Sequence, residues 1–70
     1  MILANINTTV ILENLASFQQ HLTVGGVLIV SGFLIDDEAE LRINAEKTDL
    51  GLIARIQREN WLCLEFKKTT

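Results

Sequence analysis

A continuous apolar run near the middle of the chain organises the pattern of hydrophobic and polar positions. Residues 27–30 are Val-Leu-Ile-Val, opened by Gly25-Gly26 and closed by Ser31-Gly32. A run that does not alternate is typical of a strand buried on both faces, as in the middle of a parallel sheet with helices on each side. We therefore expect a central strand over residues 27–31 and the rest of the chain to be arranged around it.

The segment before this run predicts a strand followed by a helix. Residues 2–6 form a short apolar strand with Asn5 near its carboxyl end, and residues 9–22 carry a helical stripe. The stripe recurs at spacings of four, three and four and consists of Ile11, Leu15, Phe18 and Leu22. Candidate N-cap side chains are Asn7, Thr8 and Thr9. Gly25 or Gly26 is expected to end the helix, because glycine accepts the left-handed conformation.

The segment after the run predicts a second helix and a hairpin. Asp36 or Asp37 would cap a helix over residues 37–48, and strands over residues 52–58 and 61–67 would meet at a tight Glu59-Asn60 turn. Asparagine is the expected positive-φ residue of that turn. Inward positions of the last strand are Leu62, Leu64 and Phe66, and Trp61 is expected to anchor the hairpin against the second helix.

The predicted fold is a single α/β domain spanning residues 1–70. Its order is strand, helix, strand, helix, strand, strand, with two parallel strands joined by a right-handed crossover and an antiparallel hairpin at the C-terminal end. Hydrophobic residues make up 49% of only 70 residues, which is more than a small domain can hide easily. We therefore expect an apolar face that another subunit or domain covers.

Charge and residue counts exclude several functional classes. The net charge of −3 and the scattered lysines and arginines argue against nucleic-acid binding. One cysteine, Cys63, and one histidine, His21, leave no disulfide within the chain and no Cys/His zinc site. The apolar run over residues 25–35 is shorter than the ~20 residues that cross a bilayer. Without a basic segment before the first apolar residues, the prediction is a cytoplasmic protein with no membrane partner.

Three motifs stand in a fixed order along the chain. Ala-Asn-Ile occupies residues 4–6 and is separated by 18 residues from Gly-Gly-x-Leu-x-x-Ser-Gly at residues 25–32, and a charged strand, a turn and a tryptophan follow at residues 55–61. This set resembles the C-terminal half of a class I S-adenosylmethionine-dependent methyltransferase, and within that class the PrmA family, which methylates large-subunit ribosomal protein eleven and carries Ala-Asn-Ile at the end of its fourth strand. Val24 stands where the family usually has proline.

The resemblance implies a partial Rossmann-like sheet that starts at the family's fourth strand. The family binds S-adenosylmethionine mainly with its first three strands, through a glycine-rich loop and a ribose-binding acid. Neither has a counterpart in these 70 residues. We therefore expect this chain alone to bind no cofactor tightly and to be inactive, although its family is enzymatic.

Asn5 is the one residue to which the resemblance gives a catalytic role. In related amine methyltransferases an Asn or Asp at this strand end accepts hydrogen bonds from the target nitrogen and positions it. The alternative is that Asn5 caps the strand end or the following helix. Gly25-Gly26 lacks the third glycine of a phosphate loop, and Ser31-Gly32 lacks the glycine of a nucleophile elbow.

Three hypotheses of function remain open. The chain is a truncated protein methyltransferase-like fragment, or a non-enzymatic interaction module. The second hypothesis predicts a homo-oligomer through the exposed first strand and first helix, or half of a split enzyme completed by another chain. A third is a small unrelated α+β binding domain, whose hairpin would lie outside the sheet of residues 27–31.

Overall fold

A four-stranded mixed sheet carries both helices of the chain on one face. The structure is a computed structural model that describes residues 1–5 and 7–70. Its elements are β1 (Ile2–Ala4), α1 (Thr8–His21), β2 (Val27–Leu34), a 3-10 turn (Ile35–Asp37), α2 (Glu38–Lys47), β3 (Leu50–Arg58) and β4 (Trp61–Lys68). The α/β class is confirmed, and the hairpin belongs to the same sheet as β2.

Strand pairing places β2 inside the sheet, between β1 and β4. β1 runs parallel to β2, with Ala4 beside Val30, whereas β4 is antiparallel to β2, with Leu64 beside Val30. β3 pairs only with β4, as the second arm of the hairpin. The sheet order is β1-β2-β4-β3, so β1 and β3 are its edges.

The core lies between the sheet and the two helices. Alternation along β4 buries the three residues predicted to point inward, Leu62, Leu64 and Phe66. From α1, the stripe residues Ile11, Leu15 and Leu22 are buried, and Phe18 packs against them. α2 contributes Leu41 and Ala45 to the same cluster. The expectation that α1 exposes its stripe to a partner is therefore wrong, because this chain buries the stripe in its own core.

β2 differs from the predicted strand in length and in burial. It continues to Leu34, with Gly32 as an irregular residue inside the strand rather than after it. Leu28 and Val30 are fully buried, but Ile29 between them is only partly buried. The expectation of a strand buried on both faces is wrong for this chain, since α1 and α2 contact each other on the same side of the sheet.

The two tight turns also depart from prediction. α1 ends at His21, before the glycines, and Gly25 (φ 86°) lies instead in the turn that leads into β2, where its N–H donates to Lys68 O. At the hairpin, the residue with positive φ is Glu59 (53°) and not Asn60. Both turn positions were predicted correctly, and Gly25 takes the left-handed conformation as expected, whereas at the hairpin the wrong residue was predicted to do so.

The side of the sheet that carries no helix is largely apolar, although Glu65 and Arg58 also lie on it. We call it the open face, and its apolar residues include Leu3, Ile29, Leu34, Ile56, Trp61 and Cys63. Leu3 is 68% exposed and Trp61 42% exposed. Trp61 neighbours the buried Leu62 and therefore points away from α2, so its predicted role as an anchor against the second helix is wrong.

A bidentate ion pair joins β3 to the start of α2. The Arg55 guanidinium donates from Nε to Glu38 Oε2 (2.7 Å) and from Nη2 to Glu38 Oε1 (2.8 Å). Arg42 approaches the same carboxylate at 3.3 Å. The hydrogen bond from Arg55 is the main reason that the pKa of Glu38 lies below its ordinary value of 4.5, and burial of the carboxylate opposes that shift.

Replacing this carboxylate, as Glu38→Gln, should remove a pH-dependent part of the stability. A lowered folded-state pKa means that the ionised Glu38 stabilises the fold above about pH 4.5 and that this stabilisation is lost as pH falls through the lower value. Urea denaturation should show a gap between the two proteins at pH 7 that closes near pH 3. Glu13→Gln, at an exposed position of α1, is the matched control. A gap that persists unchanged at pH 3 would contradict the assignment.

Candidate functional site

The carboxyl ends of both parallel strands and the starts of both helices meet at one edge of the sheet. A groove of about 380 Å³ lies there. Its lining consists of Asn7, Thr8, Thr9, Leu12, Gly32, Phe33, Leu34, Asp37 and Glu40. In sheets of this kind, ligands bind beyond the carboxyl ends of the parallel strands, which makes this groove the candidate site.

Two hydrogen bonds hold the helix starts beside the groove. Asn7 caps α1, because its side chain accepts from the Val10 N–H at 3.0 Å. Thr8 Oγ1 donates to Asp37 Oδ2 at 3.1 Å, which links the start of α1 to the start of α2. The predicted cap at Asn7 is present, and Thr8 contacts the second helix instead of capping the first.

Asp37 does not act as the predicted helix cap. It occupies the N-cap position of α2 with φ −92° and ψ −5°, and its side chain makes no cap hydrogen bond. Capping requires an extended backbone at this position so that the side chain can reach the free N–H groups. The carboxylate of Asp37 is directed across to Thr8 instead.

Asn5 is exposed immediately after β1 and lies against Gly32 of β2. Its carboxamide oxygen occupies the space where a Cβ on residue 32 would stand. Asn5 does not itself line the groove, but it touches a residue that does. The next residue, Ile6, which is part of the Ala-Asn-Ile motif, lies outside the described residues.

The lining chemistry favours some ligands over others. Asp37 and Glu40 contribute carboxylates, Thr8 and Thr9 contribute hydroxyls, and no lysine or arginine appears among the lining residues that the structure describes. Such a surface repels a phosphate and suits a neutral or positively charged group. Across residues 1–5 and 7–70, no cluster of three or more His, Cys, Asp or Glu side chains could hold a metal ion.

The other side chains considered from sequence lie away from the groove. His21 is exposed at the opposite end of α1, with Nδ1 2.7 Å from Ser17 O. Cys63 lies on the open face, and burial is the main cause that raises the pKa of its thiol, with the Glu65 charge adding to it. A raised pKa makes the thiol a poor nucleophile. Neither helix of the described part of the chain is long and apolar enough to cross a membrane.

Comparison with known proteins decides the family. The sequence model described as "Ribosomal protein L11 methyltransferase (PrmA)" matches residues 1–69. This chain belongs to the PrmA family. The resemblance noted from the Ala-Asn-Ile and Gly-Gly motifs is thereby confirmed.

Relatives within the PrmA family are ribosomal protein L11 methyltransferases of bacteria. The protein from Porphyromonas gingivalis is 36% identical over 66 residues, which cover 94% of this chain and 23% of that protein. The protein from Bacteroides fragilis is 30% identical over 66 residues, covering 94% and 24%. This PrmA chain therefore spans about a quarter of the length of the curated relatives it matches.

A solved structure shares the fold. The crystal structure of ribosomal protein L11 methylase from Lactobacillus delbrueckii subsp. bulgaricus superimposes with a TM-score of 0.92 at 19% identity. The match covers 99% of this PrmA chain and 36% of the other. The arrangement of two helices on a four-stranded sheet is thus that of part of a methylase.

Sequence reasoning missed two contacts at the candidate site. The Thr8–Asp37 hydrogen bond joins residues 29 positions apart, and no local pattern signals it. The contact between Asn5 and Gly32 had a visible signal, since a glycine next to a buried strand often marks a bulge or a close approach of other atoms. That glycine was interpreted only as the end of the strand.

The link between the helix starts can be tested by Thr8→Val, which keeps the β-branched shape and removes the hydroxyl. We expect a loss of about 1 kcal/mol in unfolding free energy, because the hydrogen bond from Thr8 to the Asp37 carboxylate disappears. Thr9→Val, at an exposed neighbouring position, should change stability by less than about 0.5 kcal/mol. Urea denaturation of the two variants measures the difference. Equal effects at both positions would show that the bond does not stabilise the helix starts.

Proposed function

We propose that this chain forms the C-terminal half of the catalytic domain of an S-adenosylmethionine-dependent protein methyltransferase, with a ribosomal protein as substrate. The observation that carries the proposal is Asn5, held at the carboxyl end of β1 against Gly32 and beside the groove. The family and the methylase fold support the reaction class.

Asn5 is the residue that positions the substrate. Its carboxamide oxygen accepts a hydrogen bond from the target amine, which directs the nitrogen lone pair toward the methyl group. S-adenosylmethionine, when bound, supplies that methyl group on a sulfonium. In such a transfer the N–C bond would form as the S–C bond breaks, and the amine proton would go to solvent. The groove suits this substrate because its charged lining residues are acidic and an amine is neutral or cationic.

The cofactor itself has no assigned residues in this chain. The family's glycine-rich loop and ribose-binding acid have no counterpart among these 70 residues. The described groove offers carboxylates and hydroxyls at the carboxyl-end edge of the sheet, but it contains no residue to which the family resemblance assigns cofactor binding. We therefore expect the 70-residue chain alone to show no micromolar binding of S-adenosylmethionine by calorimetry and no turnover.

A chimera tests the role of Asn5. This chain replaces the segment of the P. gingivalis methyltransferase that it matches over 66 residues, and that protein supplies the remaining strands. Transfer of labelled methyl groups to ribosomal protein L11 is then measured. Asn5→Ala should lower kcat about 10²-fold, the loss expected when a reacting group is mispositioned.

The matched control for the chimera is Asn44→Ala, at a half-buried position of α2 outside the groove lining, whose side chain donates to the Glu40 backbone carbonyl. This variant should retain the activity of the parent chimera. An Asn5→Ala chimera as active as the Asn44→Ala chimera would remove Asn5 from the mechanism. Micromolar cofactor binding by the isolated chain would contradict the proposal that this chain positions the substrate but does not hold the cofactor.

A second candidate function is an interaction module, favoured by the open face and by the unpaired outer edge of β1. Leu3 on that edge is 68% exposed, and Leu34 on the open face is 58% exposed. Exposed strands and apolar faces pair with other chains, either a second copy or a polypeptide that completes the sheet. This route uses β1 and the open face, since α1 is already buried against its own core.

Light scattering tests whether the chain self-associates, as the interaction-module function predicts. The chain should form a dimer or larger assembly at high concentration, and Leu3→Glu should shift it toward monomer, because a carboxylate is costly to bury at a strand interface. Ile43→Glu, at a 54% exposed position of α2 away from the open face, is the matched control and should leave the assembly intact. A stable monomer at all concentrations would count against self-association.

A further inference from the structure

Gly32 departs from strand geometry at the point where β2 reaches the groove. Its φ is +84°, and the register between β2 and β4 shifts between Ser31 and Phe33. A left-handed residue in a strand is a β-bulge, which redirects the chain locally. The bulge brings Phe33 back into the core, beside Leu62, while Gly32 remains at the groove lining.

The missing side chain of Gly32 leaves room that Asn5 fills. A Cβ at residue 32 would overlap the Asn5 carboxamide oxygen and would lie 3.4 Å from its Cγ. No L-residue with a side chain could share this space unless Asn5 changed rotamer. The side chain of Asn5 therefore rests on bare backbone of the neighbouring strand.

Left-handed geometry alone does not require such a contact. Gly25 has nearly the same φ, +86°, but a Cβ there would meet only Lys67 Cε at 3.9 Å, an ordinary van der Waals distance. The two glycines share the same conformational demand and differ in what occupies the vacant Cβ position. Comparing substitutions at Gly25 and Gly32 therefore separates the effect of backbone strain from the effect of the Asn5 contact.

We propose that Gly32 is a positioning residue that seats the Asn5 carboxamide beside the groove and so sets the direction of its acceptor oxygen. The proposal deepens and rests on the proposed function, in which that oxygen receives the target amine. With any L side chain at residue 32, the carboxamide must rotate away from the seat. The amine would then lose its hydrogen-bond partner at the reacting position, although Asn5 itself is unchanged.

A double-mutant cycle in the 70-residue chain tests the contact between Gly32 and the Asn5 carboxamide without an activity assay. Gly32→Ala, Asn5→Ala and the pair are compared with Gly25→Ala by urea denaturation. Gly25→Ala should raise the unfolding equilibrium constant roughly 5- to 30-fold through left-handed strain alone. Gly32→Ala should raise it at least as much, because the exposed Asn5 side chain can rotate away, and any excess over Gly25→Ala should vanish when Asn5→Ala is added. An excess that persists in the Gly32→Ala/Asn5→Ala pair would overturn the proposal.

A measurement on the unsubstituted chain covers the case in which Gly32→Ala does not fold. Nuclear Overhauser contacts between the Asn5 side-chain amide protons and the Gly32 Hα protons should be present, and their absence would overturn the seat.

The chimera supplies the catalytic readout of the same seat. In the chimera, Gly32→Ala should lower kcat, whereas Gly25→Ala should not. In a chimera that already carries Asn5→Ala, adding Gly32→Ala should lower kcat no further. If denaturation shows that Asn5 and Gly32 are coupled but the Gly32→Ala chimera has unchanged turnover, the positioning role is overturned. If the Asn5→Ala chimera is also fully active, the proposed function fails as well. The Asn5→Ala chimera therefore distinguishes failure of the Gly32 role from failure of the proposed function.

Discussion

Burial of one face of the β2–β4 pair is the constraint on which the rest of the structure depends. Leu28 and Val30 of β2 lie beside Phe66 and Leu64 of β4, and all four are essentially inaccessible. Both helices cover this patch, because their buried residues pack with it into one core cluster. The Arg55–Glu38 ion pair then attaches the far strand of the hairpin to the same helical layer.

Covering a single face has consequences for the other one. A sheet whose helices lie on one side leaves the opposite side uncovered, and here that side includes the exposed Leu3, Leu34 and Trp61. Small domains bury a limited fraction of their surface, so a chain this apolar cannot complete a second layer by itself. The proposed interaction with further polypeptide rests on the open face and the free edge of β1.

The candidate site arises where local irregularities coincide. The bulge at Gly32, the short β1 that ends before Asn5, and the Thr8–Asp37 bond all lie at the same edge of the sheet. Together they shape the groove and place a polar side chain beside it. Departures from regular structure at such positions are where function is commonly found.

The sequence by itself determined the elements, their order, the α1 stripe and the inward residues of β4, since these depend on local periodicity and capping. It also carried the motifs that identify the family. Tertiary structure alone decided that both helices share one face, that Trp61 points away from them and that Gly32 receives Asn5. The physical reason is that faces and close approaches depend on which distant strands pair, and residues 27 positions apart, such as Asn5 and Gly32, leave no periodic trace of their contact.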